Sequence, residues 1–186
     1  MKLFILVLLW VIPIPSIFSA EPDKNLVSVY TDLSGAACRL VKVDKETGSS
    51  LHKCPGVGGF ELLVADDDAR MSVSVVTPDH QNYPLNYWDV VTPSFSHLGN
   101  KAEWRVIREK GKLQPIALII RVVASDQSDL SAPKQVPYLA VAKISSENIC
   151  VTQKIGPVKY ANERAREAAD RALKQTCLQP LTNAGQ

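Results

Sequence analysis

Along most of this chain apolar and polar residues alternate with a period of two, the signature of strands that bury one face. Val27-Ser28-Val29-Tyr30 opens the pattern, and Ala37 to Val43 predicts a second strand before the turn-rich Asp44 to Ser50. Cys54-Pro55-Gly56-Val57-Gly58-Gly59 reads as a tight loop. Phe60, Leu62 and Val64 then alternate on one strand and Met71, Val73 and Val75 on the next, with Ala65 to Ala69 as the hairpin turn between them. Ala102, Trp104 and Val106 resume the alternation, and Lys110-Gly111-Lys112 turns the chain into Pro115 to Val123. That run is apolar at successive positions, which predicts a strand covered on both faces. After a polar stretch from Ser125 to Pro137, Tyr138 to Ile144 and Ile149 to Thr152 predict two more strands.

The period changes once. Beyond Gly156-Pro157, with the proline placed for a first helical turn, Ala161, Ala165, Ala168 and Ala172 recur on one helical face. Arg166 with Asp170, Glu167 with Arg171 and Asp170 with Lys174 stand four apart as opposite charges. An alanine stripe lets a helix lie close on a sheet. The expectation is an α+β fold, a mostly antiparallel sheet of about seven strands with one C-terminal helix packed on it.

The first residues follow a different rule. Lys2 precedes an unbroken apolar run to Ile12, closed by Pro13 and Pro15 and by small residues up to Ala20, which is the layout of a secretory signal peptide. The run stops short of the roughly 18 residues a membrane span needs, so no stable membrane anchor is expected. This divides the chain into a signal peptide at 1–20, a single globular domain at 21–177 and a C-terminal tail at 178–186. Cys38, Cys54, Cys150 and Cys177 all lie beyond the signal, in a chain sent to an oxidising compartment, and read as disulfides. Four cysteines allow three pairings, and short loop closure favours 38 with 54 and 150 with 177.

Charge and motifs mainly exclude. With 21 Lys+Arg against 19 Asp+Glu, the chain offers no electrostatic reason to bind nucleic acid. Asp66-Asp67-Asp68 lacks the offsets of a calcium loop, and Gly56 to Gly59 is followed by no Gly-Lys-Ser/Thr. No pattern calls for a cofactor or a metal. Asp89 with Glu103 is one of many carboxylate pairings, none singled out by spacing. The candidates for a site lie in the proline- and aromatic-rich segment 77–100: His80, Tyr83, Tyr87, Trp88 and His97, with Trp104 assigned to the core. Aromatic side chains give large contact area at low entropy cost, which suits a recognition surface.

Cys54 to Phe60, Ala65 to Val73, Lys101 to Val106 and Tyr138 to Ile144 together resemble a group of uncharacterised exported proteins of Gram-negative bacteria. The resemblance spans Val27 to Cys177 and implies a periplasmic or secreted setting, without an activity or ligand. The expectation is a non-enzymatic binding module of the bacterial envelope, recognising an as yet unknown protein or envelope component through segment 77–100. Two alternatives stand beside it: an inhibitor of an exogenous hydrolase such as a lysozyme, by class analogy, and a small periplasmic hydrolase whose groups converge only in three dimensions.

Overall fold

In the computed structural model, which describes residues 25–129 and 131–181, the alternating segments become ten strands and two α-helices. The signal-peptide assignment at 1–20 lies outside the described residues. In chain order the strands are β1 (Leu26–Asp32), β2 (Arg39–Val43), β3 (Ser50–Pro55), β4 (Glu61–Asp67), β5 (Arg70–Val76) and β6 (Asn82–Pro84). The one-turn helix α1 (Tyr87–Val90) precedes β7 (Ser96–Glu109), β8 (Lys112–Asp126), β9 (Lys134–Ile144) and β10 (Ile149–Ile155), and helix α2 (Ala161–Asp170) follows.

This corrects the expected sheet of about seven antiparallel strands beneath a single helix. The sheet has ten strands and is mixed, because β5 meets β7 in a parallel bridge between Arg70 and Ser96. Two strands carry too little pattern to be read. β3 reads Ser-Leu-His-Lys-Cys-Pro, with no β-branched residue, and β6 is three residues long and ends in Pro84. α2 also begins later than Pro157, after Tyr160 adopts a left-handed conformation at φ 62°.

One leaf of the sheet runs β10-β9-β8-β7-β1 and the other β6-β5-β4-β3-β2, joined at the Arg70–Ser96 bridge. Leu62, Val64, Val73 and Val75 of one leaf share a buried cluster with Trp104, Val106, Leu118 and Ile120 of the other, so the leaves pack face to face. A second core lies on the outer face of β8 and β9, where Ala117, Ile119, Leu139 and Val141 meet Ala165, Ala168 and Ala169 of α2. β8 therefore separates two cores, as its continuous apolar run requires.

Hairpins and disulfides fix the rest. Asp68 and Ala69 both take positive φ (51° and 55°) in the two-residue β4–β5 turn, matching the twist of paired strands. Gly58 lies so near the β7–β8 hairpin that a Cβ there would come within 2.5 Å of the Leu113 carbonyl oxygen. Cys38 is bonded to Cys54 across the β2–β3 hairpin, and Cys150 of β10 to Cys177 beyond α2, closing sequence separations of 16 and 27. In the chain-entropy model such loops contribute about 3 and about 3.5 kcal/mol.

Candidate functional site

Segment 77–100 does not form one surface. It wraps the edge of β5, held by Leu85 N–H donating to the Val73 carbonyl and Tyr87 N–H to Ser72 Oγ. Tyr87, expected to face a partner, is 1% exposed and belongs to the main core. Burial pushes its phenol well above the usual tyrosine range. Tyr83 lies near the C-terminal end of β5 and Trp88 beside its beginning, and a seven-residue strand spans roughly 20 Å. His80, at φ 65° in the Thr77–Gln81 turn, and His97 on β7 are exposed, and neither hydrogen-bonds a carboxylate or serine among the described residues. Trp104 is fully buried, its indole N–H donating to Thr31 Oγ1 at 2.9 Å.

Tyr83 lines a groove of about 560 Å³ at the end of the two leaves, with Phe60, Pro78, Pro115, Ile116, Ile144 and Leu173. Thr77, Asp79, Gln114, Ser145 and Ser146 give it a polar rim. A neighbouring hollow of about 460 Å³ shares Phe60, Gln114 and Pro115 with it, so the concavity continues along the β7–β8 hairpin. Leu173 is 47% exposed there, an apolar side chain without cover. Trp88 instead faces a separate hollow of about 440 Å³ with Asp67, Asp68, Asp89 and Leu181. Arg70 pairs with Asp68 at 2.6 Å and stands 4.8 Å from the centre of the Phe95 ring. Among the described residues no group of three or more His, Cys, Asp or Glu is arranged to hold a metal.

Sequence reasoning missed a third concavity entirely. Between α2 and the outer face of the first leaf lies a cleft of about 360 Å³, floored by Ile119, Leu139 and Ala165 and edged by Tyr30, Lys101, Glu103, Arg121, Asn162 and Arg166. Its edge at Tyr30, Glu103 and Arg166 belongs to a hydrogen-bonded chain. Arg105 donates to both carboxylate oxygens of Asp170 (2.6 and 3.1 Å) and to Ser28 Oγ (2.8 Å), and Ser28 donates on to Glu103 Oε1 (2.6 Å). Arg166 Nε donates to the same Glu103 oxygen (2.6 Å), and its Nη2 to Tyr30 Oη (3.1 Å). Arg166 and Asp170, expected to pair with each other within the helix, are thus taken by Glu103 and Arg105 of β7. Burial alone would raise the Glu103 carboxyl, but hydrogen bonds from Arg166 and Ser28 and the Arg166 charge outweigh it and hold it below the usual carboxylate range. Asp89 and Glu103, the carboxylates that the sequence offered as one pairing among many, line different hollows.

The only sequence sign of this cleft is an interruption of the alternation. Leu98 pairs with Val122 and Ala102 with Ile120, so β7 carries two extra residues opposite Arg121, and the resulting bulge of Gly99, Asn100 and Lys101 forms one lip of the cleft.

The molecule defined by these features is a disulfide-bonded, two-leaf β protein with one helix laid on its outer face. Comparison with protein-family models, with curated proteins and with solved structures gives no match. Among the described residues no helix is long and apolar enough to cross a membrane.

Proposed function

We propose that this protein is an exported, non-enzymatic binding module of the bacterial envelope that takes an extended protein segment in the Tyr83 groove. The observation that supports this reading is the continuity of the groove with its neighbour through Phe60, Gln114 and Pro115, which gives an elongated trough rather than a closed pocket. Its apolar floor and polar rim match what a peptide backbone with alternate apolar side chains presents. The two disulfides suit delivery to an oxidising compartment, periplasmic or extracellular. The hydrolase alternative draws less support: His97 shares a hollow of about 200 Å³ with Asp66, Ser96 and Ser125, but among the described residues no hydrogen bond joins its side chain to any of them.

Peptides selected from a displayed random library on the wild-type protein test the proposal against Tyr83→Ala and Leu173→Glu variants of unchanged circular dichroism. Enriched peptides should bind wild type and lose about tenfold or more in affinity for either variant. Equal binding to all three proteins, or enrichment of none while purified peptidoglycan is retained, would overturn it.

A further inference from the structure

The α2 cleft has an unbalanced charge beside an apolar floor. Of the three cations on its lining, Arg166 is neutralised by Glu103 at 2.6 Å and Lys101 by Asp32 at 2.6 Å. Arg121 donates to the neutral Asn162 Oδ1 at 3.0 Å and forms no ion pair among the described residues. The β7 bulge sets this arginine. Gly99 stands opposite it, and a Cβ at Gly99 would approach the Arg121 Cβ to 3.0 Å. Asn162 on α2 holds the guanidinium from the other side.

We propose that this cleft binds a monoanionic organic carboxylate with a short apolar stem, the carboxylate on Arg121 and the stem on Ile119, Leu139 and Ala165. A planar guanidinium matches a carboxylate through two parallel hydrogen bonds. One uncompensated positive charge fits one negative charge, whereas a phosphate dianion would also face the ionised Glu103 and leave the apolar floor in contact with its hydration shell. The volume of about 360 Å³ is at the lower end of the range of small-ligand pockets. The carboxylate can come from a free acid or from the C-terminus of a peptide; the recognised chemistry is the same. This cleft shares no lining residue with the Tyr83 groove, so either proposal can fail without the other.

Titration of the full chain followed by amide NMR shifts would read this directly, using hexanoate, a short peptide ending in a free C-terminal leucine, and the same peptide amidated. Hexanoate, the free-acid peptide or both should shift amides of Asn162, Ala165 and Arg121, and the amidated peptide should not. Binding of hexanoate alone identifies a free acid, and binding of the peptide alone a chain terminus. Arg121→Gln should weaken binding about tenfold or more, and Arg121→Lys, which keeps the charge but not the fork, by less. Lys42→Gln, exposed on β2 of the other leaf and not part of the cleft lining, serves as the charge control and should leave affinity unchanged. The proposal fails if no probe shifts those amides, if the amidated peptide binds equally, or if Lys42→Gln weakens binding as much as either Arg121 variant.

Discussion

Glu103 on β7 and Arg166 on α2 stand 63 residues apart in sequence and meet through two hydrogen bonds of 2.6 and 3.3 Å. The contact ties the helix to the sheet at a point where the alanine stripe supplies packing but no direction. Since the folded protein holds the Glu103 carboxyl below its ordinary value of 4.5, the unfolded chain takes up its proton first as pH falls. The stabilisation is therefore complete above pH 4.5 and is lost as pH drops through the lowered folded value. Glu103→Gln should cost about 1–2 kcal/mol at neutral pH and flatten the acid limb of a stability–pH curve measured by urea unfolding. An acid limb as steep as in the wild type would refute this. Asp44, Asp126 and Asp129, lowered by hydrogen bonds in their own exposed turns, leave a residual slope in both proteins.

Trp104 fills the centre of the main core, with its ring centroid 6.3 Å from that of Phe60 and its N–H on Thr31. Trp104→Phe leaves a cavity and an unmatched Thr31 hydroxyl, and should destabilise by about 2 kcal/mol. Thr31→Val keeps the volume but strands the buried indole N–H, a loss of about 1–3 kcal/mol. Chemical denaturation of both variants checks the pair, and Thr31→Val behaving as wild type would show that the hydrogen bond contributes nothing.

The Cys150–Cys177 bond anchors the chain just past α2 to β10, where Leu178 N–H also donates to the Val151 carbonyl at 2.8 Å. Replacing both cysteines with serine should lower stability by about 3.5 kcal/mol. The loss should be uneven: amide hydrogen exchange in α2 should accelerate more than in the β4–β5 hairpin, which packs against the other core. Uniform acceleration would mean that the helix and the leaves open together.

What was legible in the sequence followed from period. The β4–β5 hairpin, the doubly covered β8 and the alanine face of α2 each repeat a burial pattern over several residues and appear in the expected segments, although β4 runs on to Asp67 and narrows the expected Ala65 to Ala69 turn to Asp68 and Ala69. β3 and β6 were illegible because their pairing, not their side chains, makes them strands: β3 bonds to β4 along Ser50 to Pro55, while β6 borrows the edge of β5. Segment 77–100 misled for a related reason. Tyr83, Tyr87 and Trp88 are neighbours in sequence, yet a left-handed Asn86 at φ 46° turns the chain so that the middle one enters the core and the outer two face separate hollows. The α2 cleft was hidden because its groups come from β1, β7, β8 and α2, and only the tertiary fold brings Tyr30, Glu103, Arg121 and Arg166 together.

β8 runs for 15 residues, and Pro115 and Ile116 near its start line the groove while Ile119 and Arg121 further on line the cleft. One strand is thus a common beam beneath both concavities. Neither can be reshaped by moving that beam without disturbing the seat of the other, and residues 117 and 118 between them, pointing into opposite cores, leave it no slack to absorb the motion.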